Sequence, residues 1–294
     1  MMSLLDKDLV NSHNRAVIFA HYDKHDKVDP YVYFYLSELR KLCRTLLVIS
    51  TAELLKNDLD KLESMGCELI QRDNRGYDFM SYKTGLQHII YKDYDEIVIC
   101  NDSVYGPFFD LDKIFQMMES VPCDFWGMTS NTDISYHIQS YFVVFKKKVL
   151  NSVAFHDFWE TLETLDSKRE IIRRYEVGLT QSLLKSGLKA ATSADFKPTL
   201  AKQLVYLSTR FSMGKVKDKI YALFQGENVI PKINNTHSFW KELILHGKMP
   251  FIKVEPLRDN PMEVAIDDYE NVISSVSDYD TGLIKRHLSR MTEK

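Results

Sequence analysis

Asp95-Glu-Ile-Val-Ile-Cys-Asn-Asp-Ser-Val-Tyr-Gly-Pro107 decides the fold, because a short apolar run leads directly into Asn101-Asp102-Ser103. The β-branched residues of the run predict an interior strand. Open α/β sheets bind their ligands at the carboxyl ends of such strands. The three polar residues also favour a turn, since their side chains bond readily to their own backbone. The stretch alone therefore leaves a ligand site and a simple turn as alternatives.

Strands and helices alternate on the amino-terminal side of this stretch. Three earlier apolar runs have the length of strands: Arg15–Ala20, Thr45–Ser50 and Cys67–Gln71. Helical spacing predicts helices over 29–43, 51–65 and 80–91, the first starting at Asp29-Pro30 and the second closed by Gly66. Strands that alternate with helices of this length predict right-handed crossovers and a mainly parallel sheet.

The alternation continues after Pro107. Helices are predicted over 111–119, 147–165 and 167–186, the last closed by Gly187, and strands over 123–129 and 139–145. The chain from 201 onward is rich in loops and aromatic residues and ends in a helical stretch, 267–290. We therefore expect an α/β fold of Rossmann type with helices flanking the sheet. One domain would span 1–200, and a helical, loop-rich extension over 201–294 would pack on it.

The composition argues against nucleic acid as a partner. Lys and Arg total 38 against 41 for Asp and Glu, a net charge of −3 over 294 residues, so no overall basic field exists. The cysteines are widely spaced and form no Cys-x-x-Cys pair: Cys43, Cys67, Cys100 and Cys123. Such spacing indicates free thiols in a reducing compartment, and we expect a cytoplasmic protein.

Two segments bear on membranes. Met1–Val10 lacks the basic region and apolar core of a signal peptide, and no apolar run approaches the ~20 residues that span a bilayer. The segment 201–224 alternates apolar and basic residues, which is typical of a helix packed on its own domain and also of one lying on an anionic membrane. We favour packing, with peripheral contact at the inner face of the plasma membrane as the alternative.

The loop Arg72-Asp-Asn-Arg-Gly-Tyr-Asp-Phe79 follows the third strand and is dense in groups that bind anions and sugars. Gly76 permits a close backbone approach, and Arg72 and Arg75 can pair with a diphosphate. Asp78 or Asp73 can accept a hydrogen bond from a donor group of a sugar or base. The alternative is a solvated turn in which Asp78 caps the next helix.

Glu176 and His137 each have two interpretations. Near a helix start, Glu176 would lie in the positive first turn; within a helix it would be an exposed acid paired with Arg173 or Arg174, which spacing alone favours. His137 lies in a polar loop and suits either a structural bond to a loop carbonyl or contact with an acceptor.

Several stretches together resemble the rhamnan synthesis protein F family of bacterial polysaccharide glycosyltransferases. They occur in the family's order: Phe19–Asp23, Arg72–Phe79, Asn101–Pro107, Asp124–Gly127, His137–Phe142, Tyr175–Leu179, Asn235–His237, Pro250–Lys253 and Leu257–Pro261. The resemblance implies a GT-A-like nucleotide-sugar-binding and catalytic domain over 1–200, with the extension contributing to the acceptor side. It also implies transfer of L-rhamnose from a dTDP-activated donor to a lipid-linked or oligosaccharide acceptor of a surface glycan.

Enzymes of this fold often hold a divalent cation with an Asp-x-Asp segment, and Asn101-Asp102-Ser103 stands in its place here. The resemblance thus implies a Mg²⁺ or Mn²⁺ site with Asp102 as its one carboxylate, which Mg²⁺ tolerates because it keeps several waters. Without a metal, Arg72, Arg75 or Lys83 would carry the charge of the diphosphate. Tyr175–Leu179 also resembles the Glu-Asp-x-x-Leu helix start of inverting enzymes, with Val177 in the Asp position.

Several polar clusters fall at predicted strand or helix ends that face one edge, and this convergence together with the resemblance gives the remaining candidate roles. Glu176 is the first candidate for the catalytic base and Asp124 its rival. The donor nucleotide sugar is assigned to His21, Asp23, Arg72, Asn74, Arg75, Gly76, Asp78, Lys83, Asn101, Asp102 and Ser103. The acceptor is assigned to His137, Gln139 and His237. The incomplete Asp-x-Asp segment leaves one alternative of another class, a nucleotide-sugar or glycan binding module that does not catalyse transfer.

Overall fold

A computed structural model describes residues 14–194, 196, 198–199, 202 and 234–292. The expectations for Met1–Val10 and, apart from Lys202, for 201–224 lie outside these residues.

One seven-stranded sheet forms the centre of the fold. The strands are β1 Arg15–His21, β2 Thr45–Ser50, β3 Glu68–Gln71, β4 Glu96–Asn101, β5 Val104–Tyr105, β6 Phe125–Gly127, β7 Ser130–Asn131, β8 His137–Ile138, β9 Phe142–Lys146, β10 Ala190–Thr192 and β11 Ile252–Lys253. The large sheet has the order β10-β6-β9-β4-β1-β2-β3, while β11 pairs with β5 and β7 with β8. Only β9 runs antiparallel to its neighbours in the large sheet, so the sheet is mainly parallel.

Helices cover both faces of this sheet. They are α1 Pro30–Arg40, α2 Lys56–Ser64, α3 Tyr77–His88, α4 Leu111–Glu119, α5 Lys147–Leu150, α6 Val153–Glu160, α7 Lys168–Ile171, α8 Val177–Lys185, α9 Asn235–Ser238, α10 Trp240–Leu245, α11 Val254–Arg258, α12 Tyr269–Ser274 and α13 Gly282–Thr292. A 3₁₀ turn lies at Tyr91–Asp93, and a π-helical turn, Ile172–Glu176, joins α7 to α8. The expected α/β fold, a mainly parallel sheet flanked by helices, is confirmed.

The alternation of side chains along β1 separates two apolar layers. Val17 and Phe19 belong to a cluster that includes residues of α1, α2, α4 and residues 234–292, which we call the C-terminal segment. Ile18 points to the other face and packs in a cluster with residues of α3, α6 and α8. Because both faces are covered, the interior strands are apolar on both sides, which is the pattern of a parallel sheet.

The C-terminal segment is tied to the turn after β4. Strand β11 pairs antiparallel with β5, and the Pro250 carbonyl accepts from the Phe108 amide at 2.7 Å. Gly106 has a φ of +130°, and a Cβ built there would lie 2.3 Å from the Pro250 oxygen, so only glycine allows this approach. Two helices, α12 and α13, replace the single stretch expected over 267–290. The domain division at 200/201 stays a prediction.

Candidate active site

Two adjoining clefts open at the carboxyl ends of β1, β2 and β3. The first has a volume of about 380 Å³, and five of the residues predicted to bind the donor line it: His21, Asn74, Arg75, Gly76 and Asp78. The second, of about 590 Å³, is lined by Asp23, Arg72 and Asn74 among others. Tyr22, Thr51 and Asn74 line both clefts. The parallel strands therefore bring most of the predicted donor residues to one sheet edge.

The Asn101–Ser103 segment is a turn that fixes Asp102 at this edge. The Asn101 side-chain oxygen accepts from the amide and hydroxyl of Ser103, at 3.1 and 2.6 Å. The side-chain amide of Asn101 donates to Asp78 Oδ2 at 2.6 Å. The backbone amide of Tyr22 donates to Asp102 Oδ2 at 2.8 Å. The turn interpretation is therefore confirmed, and a ligand site at Asp102 stays a prediction.

The carboxyl groups of Asp78 and Asp102 are hard to ionise. Burial raises the pKa of Asp102 well above its usual range, more than the Tyr22 amide lowers it, and the charges of Asp78 and Asp23 add to the rise. Burial likewise raises the pKa of Asp78, against the hydrogen bond from Asn101. A positive charge near these two acids would offset part of the cost of ionising them.

Glu176 is held by Ser140. Its Oε1 accepts from the Ser140 amide at 2.6 Å and from the Ser140 hydroxyl at 2.8 Å. Spacing alone favoured an exposed acid paired with Arg173 or Arg174, and this is wrong: Glu176 ends the π-helical turn, is half-buried and bonds to Ser140. The turn widens the helix by one residue and directs the carboxylate toward the loop before β9.

His137 lies beside the second oxygen of Glu176, with Nε2 at 3.8 Å from Oε2. Its Nδ1 is 2.8 Å from the Ser135 carbonyl, and because a carbonyl only accepts, Nδ1 carries a hydrogen. The bond to a loop carbonyl is therefore confirmed, and contact of His137 with an acceptor stays a prediction. Oε2 is the Glu176 oxygen that Ser140 does not engage.

Asp124 lies at the opposite edge of the sheet. It precedes β6, and its carboxylate accepts from the Lys189 amide at 2.8 Å and from Lys148 at 3.1 Å. Burial acts to raise the pKa of Asp124, but these two donors outweigh it and lower the pKa. Asp124 therefore cannot share a site with Asp102, because β6 and β4 are parallel and Asp124 lies at the amino end of its strand.

Two of the cations predicted for the diphosphate are engaged elsewhere. Arg72 donates to Ser81 Oγ and to the carbonyls of Asp73, Arg75 and Tyr77, so it holds its own loop together. Lys83 donates to the carbonyls of Glu160 and Leu162, at the end of α6. A diphosphate role for either would require breaking these bonds.

Lys253 is the cation that the sequence interpretation missed. Its Nζ lies 3.3 Å from Ser103 Oγ and 3.9 Å from the centre of the Tyr141 ring. Burial lowers the pKa of Lys253 to about 8, while the charges of Glu176 and Asp78 oppose that shift. The only sequence signal was its membership of the Pro250–Lys253 stretch.

The other residues predicted for the acceptor are buried. Gln139 ends an internal chain in which Tyr141 donates to Thr129 and Thr129 donates to Gln139, each at 2.7 Å. His237 lies 3.6 Å from Glu255, and burial lowers its pKa to about 4. The acceptor roles of both side chains stay predictions.

One group of potential metal ligands occurs in the described part of the chain: Asp23, Asp29 and His287. The Arg290 guanidinium donates to both carboxylates, so a cation already bridges them. Around Asp102 the donor set fits a divalent cation poorly, because the Lys253 ammonium contacts the adjacent Ser103 and like charges repel. Metal binding by Asp102 stays a prediction.

No helix among the described residues is long and apolar enough to cross a bilayer. Two solved structures resemble the chain in fold. The glycosyltransferase GlyE of Streptococcus pneumoniae TIGR4 is 12% identical with a TM-score of 0.45, over 96% of this chain and 64% of that one. S. aureus TarS 1-349, in complex with UDP-GlcNAc, is 11% identical with a TM-score of 0.41, over 72% and 71%.

Sequence relatives are closer. "Virulence protein VirA" of Vibrio anguillarum is 32% identical over 218 residues, which are 71% of this chain and 67% of VirA. "Uncharacterized protein y4gN" of Sinorhizobium fredii is 29% identical over 148 residues, 48% of this chain and 39% of y4gN. Residues 46–218, well over half of the chain, match the family described as rhamnan synthesis protein F. The chain therefore belongs to the rhamnan synthesis protein F family.

Proposed function

We propose that the chain is an inverting glycosyltransferase that uses dTDP-L-rhamnose to extend a bacterial cell-surface polysaccharide. The family membership and the GT-A-like sheet support a glycosyltransferase of polysaccharide synthesis. The observation that carries the proposal is the position of Glu176: Ser140 holds one carboxylate oxygen, and the other faces His137 at the same sheet edge as Asp102 and the first cleft.

In this proposal the nucleoside occupies the 380 Å³ cleft beside His21, and the diphosphate points toward Asp102. Glu176 accepts the proton of an acceptor hydroxyl as that oxygen bonds to the anomeric carbon. The bond between the anomeric carbon and the phosphate oxygen breaks on the opposite face, and the diphosphate leaves with the electron pair. The acceptor is a lipid-linked glycan or an oligosaccharide.

The base is tested with Glu176→Gln, which keeps an oxygen for the Ser140 donors but cannot take a proton. We expect kcat to fall by roughly 10²- to 10⁴-fold with donor binding unchanged, the usual contribution of a general base. Asp124→Asn serves as the matched control at the opposite sheet edge and should keep its rate. Near-normal turnover by Glu176→Gln would remove it from the role.

The donor and the binding-module alternative are tested together. Melting temperatures are measured with dTDP, UDP and GDP and their sugars, since a ligand that binds only the folded state raises the melting point. Stabilisation by UDP or GDP but not dTDP would contradict the rhamnose assignment. A protein that binds dTDP yet never consumes dTDP-rhamnose, with Mg²⁺ or Mn²⁺ and suitable acceptors, would instead be a binding module.

A further inference from the structure

Strand pairing brings Lys253 into the turn after β4. In the β5–β11 pair, Lys253 lies opposite Val104, and the Val254 amide donates to the Ser103 carbonyl at 2.9 Å. These backbone bonds fix the start of the lysine side chain next to Ser103, so its position does not depend on a flexible loop.

The Lys253 ammonium has donor capacity left over. An ammonium has three N–H donors, and Nζ contacts one hydroxyl, Ser103 Oγ, and the face of one ring, Tyr141. No described carboxylate forms an ion pair with it. The ammonium is partly buried, so an anion that reached it would form charge-assisted hydrogen bonds with little competition from bulk water.

Acidic groups surround this ammonium at longer range. The charges of Glu176, Asp78 and Glu255 all favour its protonated form. Burial raises the pKa of both Asp78 and Asp102, so these two acids ionise less readily than solvated carboxylates and repel an incoming anion less. The edge thus combines one cation placed by the backbone with two acids of reduced tendency to ionise.

We propose that Lys253 binds the diphosphate of the donor and that no divalent metal is needed there. The proposal rests on the proposed function, in that it assigns the leaving group of that reaction. Lys253 provides the charge that an Asp-x-Asp segment would recruit through a cation. The backbone already places the ammonium in the ligand-free protein, so little conformational freedom is lost on binding.

The test measures binding of inorganic pyrophosphate, and of dTDP against thymidine, by calorimetry in EDTA. Pyrophosphate reports the subsite whatever the base of the true donor. We expect pyrophosphate to bind in EDTA and Lys253→Gln to bind it roughly 10- to 100-fold more weakly, as expected for a charge-assisted bond. Lys253→Arg should retain most of the affinity, and thymidine should not distinguish the variants.

Two further variants serve as controls, one for the change in net charge and one for the loss of any lysine. The double variant Lys253→Gln with Asp78→Asn has the formal charge of the wild type, because it loses one cation and one acid. It therefore remains informative if Lys253→Gln alone does not fold. We expect the double variant to bind pyrophosphate weakly. Lys248, an exposed cation 5.7 Å from the Phe109 ring, provides the control Lys248→Gln, with unchanged binding.

Pyrophosphate binding that requires Mg²⁺ would overturn the proposal. So would full affinity in the double variant, or no binding of any diphosphate by the wild type. These outcomes differ from failure of the proposed function, which would appear as diphosphate binding in EDTA without sugar transfer.

Discussion

His21 should make the fold sensitive to mild acid. The ring is buried at the end of β1, and its Nδ1 lies 2.9 Å from Ser50 Oγ. Burial lowers the pKa of His21 from 6.5 to about 4, although the charges of Asp23 and Asp29 oppose the shift. The native ring is therefore neutral at pH 5, where the same ring in the unfolded chain is protonated.

The sign and size follow from proton linkage. Between pH 6.5 and about 4 the unfolded state binds more protons than the folded state, so the free energy of unfolding falls as the pH falls. Below about pH 4 both states are protonated and His21 adds no further loss. Lowering the pH from 7 to 5 should cost ~2 kcal/mol through this one residue.

The substitution that isolates this effect is His21→Asn, whose amide nitrogen can replace Nδ1 near Ser50 but does not titrate. Urea unfolding of the nucleotide-free protein at pH 7 and pH 5 gives the two free energies. We expect the decline between them to be ~2 kcal/mol smaller in the variant, because only the wild type gains a proton on unfolding. His156→Asn, at an exposed histidine, reports the effect of losing a surface imidazole. An equal decline in wild type and His21→Asn would refute a buried neutral ring.

Two glycine substitutions test the packing of the helices, and a third substitution tests a buried ion pair. Gly85→Ala should destabilise the fold by ~1–3 kcal/mol in urea unfolding, since the new Cβ would lie 2.5 Å from Ile18 Cγ2. Gly178→Ala, where the nearest atoms are 4.0 Å away, should stabilise by up to ~1 kcal/mol through helix propensity. Arg290→Met should cost roughly 3 kcal/mol or more at pH 7, because it leaves two buried aspartates without their cation. Lys56→Met, which breaks an exposed pair, should change the urea midpoint little, and an equal loss in both would contradict the role of burial.

The strands could be predicted because their apolar runs are uninterrupted, and the bounds of β2 and α4 match the expectation. Helix starts were less certain. The helix after β3 was expected from Met80 and begins at Tyr77, because Gly76 takes a left-handed conformation at its amino end. The sequence shows that residue 76 is a glycine but not that its φ is positive, so hydrophobic spacing alone could not place the start of this helix.

The site was predictable where residues directly follow a parallel strand. His21 and Asp102 come to one edge for that reason, since parallel strands share the direction of their carboxyl ends. Hydrogen-bond partners were not predictable. The sequence shows that Arg72 and Lys83 are cations near the edge, but not that backbone carbonyls already use their donors. Lys253 reaches the edge through a two-residue strand pair 150 positions away from Ser103, too short to leave a periodic signal.

The C-terminal segment balances the charge of the sheet edge. Acids gather at this edge from the segments after β1 and β4, from α3 and from the π-helical turn. Two buried or partly buried cations contact or face them, Lys253 and Arg290, and both come from the last forty-odd residues. Arg290 closes the loop after β1 that lines the second cleft, while Lys253 lies beside the turn after β4. Isolated acids this poorly solvated would repel one another and remain protonated. The two clefts and the C-terminal segment thus depend on each other electrostatically. Gly106 is the backbone position that lets the segment approach closely enough for Lys253 to reach Ser103.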